Sequence, residues 1–298
     1  MPKPELFQKI KSRVDNTVKF VFLSEGQIIE FSYIDKNDGK DIICVPTQTG
    51  CLMGCKFCFL SDYDLAVRNL DAAEISSGVN YVITDLGLLE RRQPNRVLLV
   101  SYMGCGEPLC NLRGVIESCV QIRSRYSGVY GVVRFAIASL IPNLKAMDEL
   151  IGRVSDNQLL FKFHLSLHSP DEEVRKDIAP AARDIKESVA LVERFIRQTG
   201  TSAEVHYTLM DGINDREEDL RGLIQLLKGR GIPIKFLLYN EKPSVDFKRS
   251  EQVQRFRSEL EKEGIATEDY HPPGWDIGSS CGQFLMEYYA KFNSKKSP

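Results

Sequence analysis

From Asp41 to Ile265 the sequence alternates short apolar runs with longer amphipathic stretches, and that alternation constrains the fold more than any other feature. Ile42–Pro46, Val97–Met103, Val132–Leu140, Phe161–His168, Ala203–Met210 and Ile234–Tyr239 read as buried strands. Between and after them, Ala72–Arg91, Leu112–Ser127, Leu144–Val154, Ile185–Arg197, Arg216–Lys228 and Glu251–Glu263 carry apolar stripes at helical spacing. Gly200, Gly229 and Gly264 stand where helix C-caps belong. Neighbouring parallel strands require a crossover of about a dozen residues or more, usually a helix, so this order predicts a parallel sheet. Six such units without a long linker predict one α/β partial (β/α)6 barrel, with functional loops at the carboxyl ends of its strands.

The flanks read differently. Phe20–Ser24 and Ile28–Ile34 are two short strands joined at Glu25-Gly26, after an opening segment read as polar. The expected organisation is a short β-rich extension over 1–40, the barrel over 41–265, and an extension over 266–298 with a strand, a turn and a final helix.

Composition excludes several classes. With 43% hydrophobic and 27% charged residues the chain is neither disordered nor fibrous. A net charge of -2 argues against a protein that grips nucleic acid through overall basicity. No run approaches the ~18 apolar residues of a membrane span, so a cytoplasmic location and no membrane partner are expected. Eight cysteines, at 44, 51, 55, 58, 105, 110, 119 and 281, point in that reducing setting to metal or redox chemistry rather than disulfides.

Cys51, Cys55 and Cys58 are spaced C-x3-C-x2-C in the loop after the first barrel strand. Three thiols on one iron–sulfur cubane leave one iron open to a small molecule. A structural zinc site is the alternative, but it wants four closed ligands, and no further His or Cys follows at suitable spacing. Cys119, inside an amphipathic stretch, reads as a small buried hydrophobe.

This three-cysteine loop at the start of a βα barrel resembles the radical-SAM superfamily. The resemblance implies a [4Fe–4S] cluster on Cys51, Cys55 and Cys58 that binds and reductively cleaves S-adenosylmethionine. Further segments, spread from Glu30 to Gln283, resemble the RlmN/Cfr family of RNA-adenine methyltransferases. Met103-Gly104-Cys105-Gly106-Glu107-Pro108-Leu109 with Asn111 is similar to the family's MGMGEPL-x-N segment, and Ser166-Leu167-His168 to its S-L-H element, with Arg175 and Pro180 following. Asn214-Asp215 and Asn240 match further family positions. The resemblance assigns cofactor binding to Gly106, Glu107, Ser166, Leu167, His168 and Asn240.

It also gives two further thiols a task. Cys281, in Ser279-Ser280-Cys281-Gly282-Gln283, takes a methyl group from one cofactor molecule, and a radical generated from a second activates that methyl for addition to adenine C2 or C8 in rRNA or tRNA. Cys44 resolves the adduct by forming a disulfide with Cys281, and Glu30 accepts a proton, although an exposed strand carboxylate is an equal reading of Glu30. An RNA substrate and a flavodoxin or ferredoxin electron donor are the implied partners.

Three departures accompany the resemblance. Family members carry an N-terminal helical RNA-binding domain, and only some 40 residues precede the first barrel strand here. Cys105 replaces a family Met, and Ala136-Ile137-Ala138-Ser139 replaces a Ser-Thr-Ser-Gly element. Arg68, Arg91, Arg92, Arg175 and Arg183 are candidates to line an RNA channel, against the reading of solvated helix faces. A non-RNA substrate for the same core, or an iron–sulfur protein without catalysis, are the competing functions.

Overall fold

A right-handed crossover that always advances in one direction puts every helix on the same face of a parallel sheet. The computed structural model, which describes residues 4–90 and 95–289, follows that logic. Its strands form one sheet in sequence order. The antiparallel part comprises β1 (Glu5–Lys11), β2 (Val18–Ser24), β3 (Gln27–Ile34) and β4 (Lys40–Cys44). From β4 onward the pairing is parallel through β5 (Val97–Tyr102), β6 (Val132–Ser139), β7 (Phe161–Ser166), β8 (Ser202–Thr208), β9 (Ile234–Leu237) and β10 (Thr267–Tyr270). The crossovers carry α1 (Ala72–Asp85), α2 (Leu112–Tyr126), α3 (Leu144–Asp156), α4 (Glu172–Ile178), α5 (Ile185–Thr199), α6 (Glu217–Leu227) and α7 (Val253–Lys262).

Strand alternation divides the side chains between two environments. Phe161, Phe163 and Leu165 of β7 and Ala203, Val205 and Tyr207 of β8 join Val189, Val192 and Phe195 of α5 in the main core. The residues between them, including Lys162, His164 and His206, face a lumen of about 650 Å³ on the other side. The expected six-unit partial barrel is present, extended at both edges into a ten-stranded sheet.

Local signals set the helix ends. Asp71 and Glu74 form a reciprocal capping box at the start of α1, and Gly200 closes α5 in the left-handed region at φ 66°. Among the differences from expectation are two additional elements and one shortened helix. The opening segment contains β1, whose pairing slips between Leu6 and Gln8 and so breaks the period-two signal in the sequence. Helix α1 stops at Asp85 rather than Arg91, before a turn at Gly87 with φ 60°, while residues 91–94 lie outside the described residues. Helix α4 escapes the pattern because its seven residues bury only Arg175 and Ile178. Of the final helix, a turn over Met286–Tyr288 (α8) is described.

Candidate active site at the carboxyl ends of the strands

The loops after β4 and β5 are zipped together by their backbones. Thr47 and Gln48 donate to the Cys105 carbonyl at 2.8 and 3.1 Å, and Gly104 donates to Val45 at 3.1 Å. This approach leaves no room for side chains: a Cβ on Gly104 would lie 2.8 Å from the Val45 carbonyl oxygen. Gly106 has φ 105°, and a Cβ there would lie 2.5 Å from Thr47 Oγ1. The glycines of the Met103–Leu109 segment are thus required by backbone contact.

Glu107 ties a third strand into this junction. Its N–H donates to Gln48 Oε1 at 2.9 Å, while its carboxylate accepts from Leu109 N at 3.0 Å, Ser139 Oγ at 2.7 Å and Leu140 N at 3.3 Å. Ser139, the one hydroxyl kept where the Ser-Thr-Ser-Gly element was expected, therefore serves Glu107. Burial pushes the Glu107 carboxyl up to about 7, against the lowering effect of these hydrogen bonds.

Cys51, Cys55 and Cys58 follow β4 in the same loop, with Cys58 N donating to the Cys55 carbonyl at 3.0 Å. Among the described residues, only His164, Glu204 and His206 gather three possible metal-ligand atoms within 4.8 Å of one another. The three thiols therefore stand wider apart than ligands of one zinc ion, as thiolates spread over the corners of a cubane must. Burial raises all three thiols, Cys51 to about 12 and Cys58 to about 11, which is a state that a coordinating metal reverses. Their arrangement fits a [4Fe–4S] cluster. Cys105 packs with Cys51, Cys58 and Tyr289 in a small apolar cluster.

Lys242, which the sequence reading missed, is buried against the cluster loop. It donates to the Cys58 carbonyl at 3.1 Å, Ser61 Oγ at 2.7 Å and Asp62 Oδ1 at 2.7 Å. Nothing in its sequence context distinguished it from a surface lysine.

At the ends of β7 and β8, Ser166, Leu167 and His168 are held through their backbone. Arg175 is fully buried and donates to the carbonyls of Leu167 at 2.9 Å, Ser166 at 3.2 Å and Arg183. It is a brace, and neither the RNA-channel candidate nor the solvated helix-face residue of the two readings above. His168 sits in the left-handed region at φ 57°; its Nδ1 accepts from Thr208 N at 3.1 Å and its ring centroid lies 4.6 Å from that of Phe57. Burial, with smaller effects from His206 and Arg175, lowers its imidazole to about 3, so it is neutral. Asn214 Nδ2 donates to the carbonyls of His168 at 2.6 Å and Thr208 at 2.8 Å. Arg68 is likewise tied up, by Glu74 and Ser24, while Arg183 reaches the Pro142 carbonyl at 3.2 Å. Arg91 and Arg92 lie outside the described residues.

The segment after β10 returns over β2 and β3. Buried Lys19 pairs with Glu30 Oε2 and donates to the Gly278 carbonyl at 2.5 Å. Glu30 Oε1 accepts from Leu285 N at 3.0 Å, and the Ser32 and Ser279 hydroxyls meet at 3.0 Å. Glu30 is therefore a buried, paired carboxylate, and its reading as an exposed one is corrected: β2 and the returning segment cover it. Asn240, three residues past the end of β9, donates to the Cys281 carbonyl at 2.9 Å.

Cys281 and Cys44 both line the lumen. Burial and then the neighbouring Cys281 push the Cys44 thiol up to about 12. Cys281 exposes surface to the lumen, yet the protein around it raises its thiol by burial to about 11, with Lys235 and Lys36 opposing the rise. Cysteine chemistry here needs a nearby positive charge to form the thiolate.

Comparison with known proteins agrees with this geometry. The profile of the Radical SAM superfamily matches residues 45–226. The probable dual-specificity RNA methyltransferase RlmN of Clostridioides difficile is 32% identical over 94% of this chain and 79% of its own length. Its counterpart from Clostridium botulinum Alaska E43 is 33% identical over 96% of this chain and 80% of its own. The crystal structure of a radical SAM methyltransferase from Sphaerobacter thermophilus superposes with a TM-score of 0.83 at 27% identity, covering 95% of this chain and 81% of that one. Among the described residues no helix is long and apolar enough to cross a membrane. With a three-cysteine loop and a glycine junction at the strand ends of this barrel, the chain belongs to the radical SAM superfamily and, within it, to the RlmN family, as a radical methyltransferase that uses a [4Fe–4S] cluster and S-adenosylmethionine.

Proposed function

We propose that this enzyme methylates C2 or C8 of adenine in rRNA or tRNA, with Cys281 as the methyl carrier and Cys44 as the resolving thiol. The observation that carries the reading is that these thiols, 237 positions apart in the chain (281 − 44), line the same lumen, near enough for Cys281 to raise the Cys44 thiol. A second thiol near a carrier thiol can release a covalent adduct by forming a disulfide. The names of the RlmN relatives support the RNA substrate. So do Lys36 and Arg134 on the lumen wall, which add positive charge beyond the pairs Lys19–Glu30, Lys40–Asp38, Lys162–Glu204 and Lys235–Glu268.

In this reading Cys51, Cys55 and Cys58 hold the cluster, and Gly106, Glu107, Ser166, Leu167, His168 and Asn240 surround the bound cofactor. The cluster, when bound, would supply the electron that cleaves the cofactor, and these residues would bind and orient it. Cys281 accepts the methyl as a thiolate, which the positive sulfonium of the cofactor favours. Glu30, held by Lys19 and Leu285, accepts the proton from the base carbon. The Cys44 thiolate would then attack the Cys281 sulfur, breaking its bond to the carbon that joins it to the base; that carbon takes up a proton and leaves as the methyl group, and a reductant reopens the Cys44–Cys281 disulfide. That requirement suits the cytoplasm, with flavodoxin or ferredoxin as electron donor.

Protein with a reconstituted cluster is incubated with S-adenosylmethionine carrying a labelled methyl, and its peptides are analysed by mass spectrometry. The expected result is label on Cys281, then transferred to adenine on adding rRNA or tRNA. Cofactor cleavage without label on Cys281 would refute the carrier role.

A further inference from the structure

One cluster on the lumen wall takes no part in methyl transfer as described above. His164 stands on β7, and Glu204 and His206 stand on β8. The parallel register pairs His164 with Glu204 and Ser166 with His206, so strand alternation turns all three toward the lumen. Each is at most 5% exposed. His164 Nδ1 lies 2.7 Å from His206 Nε2 and 2.8 Å from Glu204 Oε1, while His206 Nε2 lies 3.3 Å from the same oxygen.

The three ligand atoms converge on one point: without an ion, one facing imidazole nitrogen donates to the other while Glu204 Oε1 accepts from Lys235, and with an ion all three lone pairs turn to it. We propose that His164, Glu204 and His206 bind a divalent transition-metal ion of borderline softness, for which zinc is the probe. Two imidazoles and a carboxylate are the donor set such ions prefer. Bonds of about 2.0–2.1 Å give tetrahedral edges near 3.4 Å, so the present triangle needs to open by only a few tenths of an ångström on average.

The flanking lysines fit this assignment. Lys162 pairs with Glu204 Oε2 and leaves Oε1 facing the histidines. Lys235 lies 2.8 Å from Oε1, and it has a second carboxylate, Glu268, at 3.1 Å to turn to when the ion arrives. Two carboxylates and two ammoniums then cancel, and the ion's charge calls for an anionic oxygen as fourth ligand from the lumen. This site stands independently of the methyl-transfer reading.

The test uses holoenzyme with its cluster already built, so that Cys51, Cys55 and Cys58 are occupied. Zinc sulfate is added, unbound ion is removed by gel filtration, and zinc and iron are counted per chain. About one zinc is expected, retained in Cys44→Ser and Cys281→Ser and lost in His206→Ala with iron unchanged. An absorption-edge measurement on the unaltered protein, which needs no variant, is expected to show nitrogen and oxygen at about 2.0–2.1 Å and no sulfur at about 2.3 Å. Absence of zinc, zinc that survives His206→Ala, or a sulfur shell would each overturn the assignment.

Discussion

Replacing Lys19 by Met tests how the returning C-terminal segment is anchored. Lys19 and Glu30 are 1% and 5% exposed, and the ammonium also serves the Gly278 carbonyl. The variant leaves a buried carboxylate whose remaining partner is the Leu285 N–H at 3.0 Å. Breaking a buried pair from one side costs about 3–5 kcal/mol, because the orphaned charge keeps its desolvation penalty. Removing both charges costs far less, since two neutral groups of similar shape replace them. Equilibrium urea unfolding of the reduced, cluster-free protein measures the difference, and the cycle with Glu30→Gln isolates the pair. We expect Lys19→Met to lose about 3–5 kcal/mol and Lys19→Met/Glu30→Gln to recover at least about half of it. A loss under about 1 kcal/mol, or a double variant no better than the single one, would refute the account.

Two further outcomes follow from other buried groups. A rise of the Glu107 carboxyl from 4.5 to about 7 means that the folded chain holds a proton the unfolded chain releases; this group's contribution is full below about pH 4.5 and falls as pH rises to about 7. At about 1.4 kcal/mol per pH unit the loss is about 3 kcal/mol, and Glu107→Gln is expected to flatten that part of a stability profile between pH 5 and 8. Arg175→Met strands the carbonyls of Leu167, Ser166 and Arg183, each at about 1–3 kcal/mol, so a loss of roughly 3 kcal/mol or more by urea unfolding is expected. A loss within about 0.5 kcal/mol would mean that Arg175 does not brace the Ser166–His168 turn.

Much of the site was legible because its chemistry depends on short-range spacing. Cys51, Cys55 and Cys58 lie within one loop, and Gly104 and Gly106 within one strand end, so their patterns survive in a linear sequence. The β7 and β8 runs announced their positions through apolar alternation. Their polar members, His164, Glu204 and His206, passed unnoticed because they belong to different strands and converge only through register. Lys19 and Lys242 escaped for a related reason: a lysine looks solvated until a distant segment covers it.

What the sequence alone determined is the repeated strand–helix order, the sidedness of each element and the cluster loop, all properties of residues within a few positions of one another. A helix stripe or a strand alternation is local physics, and it needs no partner to be recognised. Only the tertiary structure decided that Arg175 braces a turn rather than lining a channel, that Glu30 is buried against Lys19, and that Cys281 and Cys44 line the same lumen. Those outcomes depend on which chain segments exclude water from which side chains, and desolvation by a segment hundreds of residues away leaves no mark on local sequence.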